Sequence, residues 1–332
     1  MAAFFRSAGI VLAAGALCVI ASGCGQKSSG LDDLVLKAGF STNESDPRVV
    51  ATKLFKEEVE KGTDGRITIE IHPDGELGSD ADLISGVVNG NVDITASSAG
   101  NFSSYAKNVG VSAFPFLFED FDSAWEFVDG EVELEAEKEF AGCNIHVLGH
   151  YDNGFRCVTT SEKVGPVESV EDMNGLVIRT PENQIVMETM LLLRAEPRVL
   201  EFTKLYDALK SGEFDAQENP VPVIYNNKLY EVQKNLAITN HSYDVMPFVI
   251  RLDVWESLSD EDKAVLEKAA LNAQKKDREL IRTQTEELIE KLKEEGMNVT
   301  YPDLEEFKAA TSSIYDSFGN EFDQDILNKV RK

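Results

Sequence analysis

Two segments far apart in the chain carry the same local order. Residues 89–95, NGNVDIT, and residues 211–217, SGEFDAQ, both read Gly-x-apolar-Asp directly after a helical run. A glycine there fits a helix C-terminal cap, where a left-handed residue is needed. The aspartate then leads into a strand. Helix, glycine, strand is the connection of an α/β sheet with parallel strands. Its occurrence in both halves predicts two lobes of similar build, joined in a chain of 332 residues that is long enough for two domains.

The surrounding pattern agrees. Residues 34–40 read as a strand, and Asp46-Pro47 opens a helix in the N-cap, N1 manner, with Val50, Leu54 and Val59 on one face. Residues 67–71 alternate like a strand, 81–88 read as a helix and 92–95 as a strand. The alternation resumes after residue 155, with a strand at 176–179, a helix over about 183–193 and another ending near Lys210. From 259 to 295 the chain is a charged helical run. Its Val265, Leu266, Ala269, Ala270, Leu280, Ile281, Leu288 and Leu292 keep helical spacing. That run is longer than one small domain needs, so it is expected to span both lobes.

In open α/β sheets, ligands bind beyond the carboxyl ends of the strands. The strand at 92–95 runs into ASSAGN, and the strand at 214–217 runs into ENP, so the two sets of loops should face each other across a cleft. The stretch GLVIRTPENQ, residues 175–184, ends an apolar strand on Arg179, and Pro181 stiffens the exit. With 59 acidic against 32 basic residues the net charge is −27. This argues against nucleic acid as a partner. It also means that a bound anion must be held by locally placed cations. A guanidinium at a strand end offers a planar fork that suits a carboxylate; the alternative is an ion pair within the protein. Arg156, in DNGFR, follows an Asn153-Gly154 pair that reads as a flexible turn and suits a crossover between lobes. Asn219, in QENP, offers a donor and an acceptor directly after a strand.

The amino terminus reads as an export signal. Arg6 precedes the apolar run AGIVLAAGALCVIASG, which ends at Cys24. Ala21-Ser22-Gly23-Cys24 resembles the box in which bacterial lipoproteins are cleaved and lipidated, with alanine where a larger aliphatic residue is usual. An ordinary cleaved signal with an incidental cysteine is the alternative. Residues 1–23 are therefore expected to be a lipoprotein signal peptide and 24–32 a tether, placing the body at the outer face of the cytoplasmic membrane or in a periplasm. Of the other cysteines, Cys143 and Cys157 either pair or remain buried thiols.

No catalytic signature of the H-E-x-x-H, G-x-S-x-G, G-x-x-x-x-G-K or C-x-x-C type is present, so the chain is not expected to be an enzyme. His146 and His150, four apart on a strand, would share a face, but zinc needs three or four ligands. The pair is expected to be structural, and no metal or other cofactor is assigned. Phe114, Phe116 and Phe118 alternate as core residues do.

DNGFR, GLVIRTPEN, LYDALKSGEFDAQENP and KLYEVQKNLAITNHSY together resemble the substrate-binding component of tripartite ATP-independent periplasmic (TRAP) transporters, the DctP-like family. GELGSDADLISGVVNGNVDIT and FPFLFED are similar to that family's first half. The resemblance covers residues 34 to about 302. It implies a two-lobed type II periplasmic-binding fold with a long helix across both lobes. It implies capture of a small organic carboxylate, such as a uronate or a C4-dicarboxylate, for delivery to a TRAP-type permease. At matching positions Arg179 is the carboxylate clamp, Arg156 the second cleft arginine, Asn219 the cleft asparagine and Phe202 an aromatic against the ligand. Ser41 and Ser98 fall on first-lobe contact positions. Lobe I is then 33–153 with about 245–284, and lobe II 154–244 with about 285–332. Ala216 and Arg194 replace two glycines usual in the family. Service to an ATP-driven importer or a sensor, or an exported enzyme acting on acidic substrates, are the alternative functions.

Overall fold

The computed structural model describes residues 33–318 and 321–330. The proposed signal and Cys24 lie outside them. In chain order the first half runs β1 (Leu34–Gly39), α1 (Pro47–Gly62), β2 (Ile67–His72), α2 (Asp80–Asn89), β3 (Ile94–Ala96), α3 (Phe121–Val128) and α4 (Glu131–Ala136). A long strand β4 (Ile145–Thr160) leads to β5 (Val177–Thr180), α5 (Gln184–Leu192), β6 (Glu196–Val199), α6 (Leu205–Ser211), β7 (Ala216–Pro220) and α7 (Val221–Asn226). The chain returns through β8 (Asn235–Arg251), α8 (Leu252–Ser257), α9 (Asp260–Glu294), β9 (Asn298–Thr300), α10 (Leu304–Thr311), α11 (Ile314–Ser317) and α12 (Gln324–Val330).

The expected duplication is present in the strand order, β2-β1-β3-β8-β4-β7-β5-β6, with β9 on β8. β1 pairs in parallel with β2 and β3, and β3 meets β8 antiparallel. β5 pairs in parallel with β6 and β7, and β7 meets β4 antiparallel. Each half is thus a parallel three-strand unit closed by one antiparallel strand. Gly90 and Gly212 cap α2 and α6 with φ of 84° and 76°. Arg194 takes the same left-handed region at φ 68°, so the backbone turn survives where the family's glycine is absent.

β4 and β8 run antiparallel for most of their length and join the halves. This corrects the reading of Asn153-Gly154 as a turn. Both lie inside β4, where the register slips between Asp152 and Gly154, and Gly154 has φ 94°. A β-bulge uses a glycine for the same backbone reason as a turn does. A second bulge, between Val147 and Gly149, inverts the alternation of the strand. His146 and His150 therefore do not share a face. His146 stacks on Trp255 with ring centres 4.1 Å apart, while His150 meets Glu137.

The buried apolar residues follow the same division. Two clusters, around Phe55, Ile69 and Phe248 and around Phe102, Phe114 and Phe140, fill the first half. Two more, around Leu209, Ile224 and Leu236 and around Met173, Ile178 and Met190, fill the second. Each such fully buried side chain contributes roughly 1.5–3 kcal/mol. Helix α9, 35 residues long and thus about 52 Å, serves both. Its Leu266, Ala269 and Ala270 pack in the first half, and Leu288 and Leu292 in the second. Ser259 caps it, acids occupy its first turn and Lys291 and Lys293 its last, all complementing the helix dipole. The segment after residue 313, assigned from sequence to the second lobe, packs through α11 on α5 and also reaches first-half elements. Tyr315 stacks on Phe114 at 4.7 Å, and Phe318, Phe322 and Leu327 join the Phe102–Phe140 cluster. Phe114 and Phe118 are core, as their alternation suggested, whereas Phe116 is only partly buried and has φ 53°.

Candidate functional site

All six residues assigned to the ligand from sequence line one cavity. Ser41, Ser98, Arg156, Arg179, Phe202 and Asn219 surround about 360 Å³ of space between the strand ends of the two halves. Ser41 follows β1 and Ser98 follows β3, both from the first half. Arg179 and Asn219 come from β5 and β7, and Phe202 opens the turn before α6. The cavity extends outward past Ser79, Val199 and Glu201, again against Arg179 and Phe202.

The charges in this cavity differ in how they are satisfied. Arg156 is 3% exposed. Its guanidinium meets Glu218 through two nitrogens, meets Asp244, and also donates to the Glu218 carbonyl at 2.9 Å and to Asn219 Oδ1 at 3.3 Å. Burial disfavours its charge, but Glu218 and Asp244 outweigh burial and raise its pKa. Burial likewise pushes Glu218 upward, and the facing Arg156 and His241 reverse this, holding the carboxylate well below its usual range. Asp244 Oδ2 also accepts from Ser98 and Asn153, at 2.9 and 2.8 Å. Arg48, the second residue of α1, is locked to Asp46 at 2.8 Å and reaches Asn153 at 3.4 Å.

Arg179 has no such partner. It is 3% exposed; its Nε donates to the Leu200 carbonyl at 2.8 Å and its guanidinium lies 6.0 Å from the Phe202 ring centre. Among the described residues no carboxylate pairs with it. Burial pulls its pKa down to about 10, with distant Glu218 and Asp80 opposing, so it remains a cation at neutral pH. A buried cation without a counter-ion is disfavoured, and an anion brought beside it would relieve that cost. Asp80, at the start of α2, is the carboxylate in the inner part of the cavity, with Glu182 and Glu201 at its outer part, and it accepts through Oδ1 from Ser41 and Ser97, both at 2.9 Å. No described residue donates to its Oδ2.

Sequence reasoning missed Arg48, Asp80, Asn101 and Asn153 in the lining, and Glu218 and Asp244 behind it. Arg48 left a signal, because a cation in the first turn of a helix opposes the dipole. So did Asp244, a charge inside an apolar strand. Asp80 left none, since acids are ordinary at helix starts. Cys143 and Cys157 are both free thiols, the first bonded to the Tyr105 carbonyl at 3.3 Å and the second buried.

Residues 38–321 match the family described as bacterial extracellular solute-binding protein, family 7, DctP. The sialic acid-binding periplasmic protein of Vibrio cholerae is 32% identical over 299 residues, covering 89% of this chain and 91% of that one. The 2,3-diketo-L-gulonate-binding periplasmic protein of Escherichia coli is 31% identical over 307 residues, covering 91% and 93%. A TRAP periplasmic solute-binding protein of Polaromonas, crystallised with D-erythronate, superposes with a TM-score of 0.86 at 31% identity, covering 90% of this chain and 98% of that chain.

Proposed function

Since the chain belongs to the DctP family of bacterial extracellular solute-binding proteins, and so captures a small organic carboxylate for a TRAP-type permease, we propose that its own ligand is a polyhydroxylated monocarboxylate, a sugar acid, clamped by Arg179. The observation that carries this is the Arg179 guanidinium, which has no carboxylate partner among the described residues. Arg48 and Arg156 already hold carboxylates of the protein, so one ligand carboxylate satisfies the cleft. A second carboxylate on the ligand would lie toward Asp80 and Asp244, and like charges at close range disfavour ionisation. The remaining lining instead offers hydroxyl and amide groups, Ser41, Ser98, Asn101, Asn153 and Asn219, with Asp80 Oδ2 free to accept from a sugar hydroxyl. Relatives named for sialic acid and 2,3-diketo-L-gulonate, and a neighbour holding D-erythronate, are consistent with this choice.

A thermal-shift screen over uronates, aldonates, keto acids and C4-dicarboxylates tests it. A ligand at 100 times its dissociation constant adds about 2.7 kcal/mol of stability. A shift from a sugar acid and none from succinate or malate is expected. The reverse pattern would overturn the reading.

The protein acts here as a carrier rather than a catalyst. Its lobes are taken to divide at the β4–β8 crossover. Membrane attachment is proposed through lipid on Cys24, supported by the small residues before it and the polar residues after it. Cys24→Ala should remain unprocessed or leave the membrane fraction; a variant that is processed and fractionates like the parent would refute the anchor.

A further inference from the structure

Away from the cleft, three donor groups converge in the first half. Glu133 lies in α4, Glu137 follows one helical turn later, and His150 projects from β4. Their ligand atoms all lie within 4.8 Å of one another. Positions four apart on a helical path share a face, which aims both carboxylates at the strand. The β4 bulge between Val147 and Gly149 turns His150 to meet them, and His150 Nε2 is bonded to Glu137. The His150 backbone is itself held, donating to Gln274 Oε1 on α9 at 2.8 Å.

Glu133 points to what is missing. It is 0% exposed, and among the described residues neither of its oxygens has a hydrogen-bond partner. An unpartnered buried carboxylate is strongly disfavoured, and such groups are paired, protonated or bound to a metal. Beside a second carboxylate, and with an imidazole whose Nε2 can exchange its proton for a metal ion, the set suits a cation.

We propose that Glu133, Glu137 and His150 form a divalent metal site of the zinc class, which pins α4 and the segment after it to β4. One imidazole nitrogen and two carboxylate oxygens are ligands that zinc accepts, with water in the fourth tetrahedral position. At zinc–ligand distances near 2.1 Å the donors would sit about 3.4 Å apart, so the direct His150–Glu137 bond opens to admit the ion while no pair of ligand atoms starts more than 4.8 Å apart. Burial and the neighbouring Glu137 hold the Glu133 carboxyl well above its ordinary range without metal. The role is structural and separate from the cleft.

The test uses purified protein without a histidine tag, stripped by chelator and titrated with Zn²⁺ against a chromophoric competitor, with Mn²⁺ and Ca²⁺ in parallel. One Zn²⁺ per chain is expected, with Glu133→Gln and His150→Gln each weakening it by more than the roughly 10- to 100-fold that loss of an outer-shell partner alone costs. Zn²⁺ should also raise the melting temperature of the parent and not of these variants. Glu137→Gln serves if either variant does not fold. No stoichiometric uptake would overturn the proposal and leave Glu133 a buried neutral acid. Uptake that survives these substitutions but is lost in His72→Gln, where Glu70 and Glu76 flank a surface histidine, would overturn it equally.

Discussion

Arg156 and Arg179 lie in the same cavity, equally buried, and have opposite roles because of what faces them. Arg156 neutralises Glu218 and Asp244, so its charge belongs to the protein. Arg179 is unpaired, so its charge is available to the ligand. The two alanine variants should separate accordingly. Arg179→Ala should weaken binding of the sugar acid by about 30-fold to several thousand-fold, the loss of roughly 2–5 kcal/mol that follows when one side of a buried charged pair is removed. It should leave the melting temperature at or above that of the parent, since a desolvated cation is gone. Arg179→Lys should recover part of the affinity, keeping the charge and losing the planar fork. Arg156→Ala should lower stability itself by about 3–5 kcal/mol, because two buried carboxylates lose the guanidinium that neutralises them. Calorimetric titration and melting curves on each variant decide this; an Arg179→Ala protein that is folded and binds as tightly as the parent would remove Arg179 from the site. Arg179 is legible as a cleft residue because it ends an apolar strand, whereas Arg156 is legible only through the family resemblance, since the Asn153-Gly154 pair before it reads as a turn. Which of them was free was not legible. The partners of Arg156 lie 62 and 88 residues away along the chain, and only the folded sheet brings them together.

The repeated Gly-x-apolar-Asp segments have a common mechanical reason. Asp93 bonds twice to one residue of β1, its backbone N–H donating to the Lys37 carbonyl at 3.0 Å and its carboxylate accepting from the Lys37 N–H at 2.8 Å. Asp215 does the same to β5, with the Val177 carbonyl at 2.9 Å and the Val177 N–H at 3.1 Å. In each half the glycine ends the helix in a left-handed turn, and the aspartate fixes the register of the next strand. This unit was legible because both its steps are local. The bulges in β4 were not, since a glycine serves a turn and a bulge alike, and the pairing strand β8 that distinguishes them lies about 90 residues further on. Gly212 isolates the backbone contribution. A Cβ built there meets nothing within 4 Å, and φ is +76°. Gly212→Ala should therefore lower stability by about 1 kcal/mol through the backbone alone, seen as a fall of a few degrees in melting temperature with ligand affinity unchanged. An unchanged or higher melting temperature would show that the left-handed cap is not needed there.

At the scale of the whole molecule the two halves stand close together. Asn43, from the first half, donates to the Asn226 carbonyl at 3.0 Å and to Asn227 Oδ1 at 2.9 Å in the second. A Cβ on Gly75 would lie 2.8 Å from Thr203. A Cβ on Gly100 would lie 1.8 Å from Asn183 Nδ2. Asn183 cannot readily give way, because its Oδ1 caps α5 by accepting from the Ile185 and Val186 N–H groups at 2.9 and 3.2 Å. The absence of a side chain at Gly100 is thus a condition of this approach of the two halves, although its backbone, with φ outside the left-handed region, would accept alanine. In folds of this kind, rigid lobes close around ligand by movement at a few hinge residues. The β4 bulge at Gly154, where Ile281 of α9 packs, is suited to that movement. If closure is part of binding, Gly100→Ala should hold the lobes apart without touching the ligand. Apparent affinity falls in proportion to the population able to close, so a loss of about 10-fold or more is expected, with the stability of the ligand-free protein unchanged. Solution scattering gives the direct measurement: ligand should reduce the radius of gyration of the parent and leave that of Gly100→Ala at its ligand-free value. Equal compaction in both would mean that the Gly100–Asn183 contact does not limit closure.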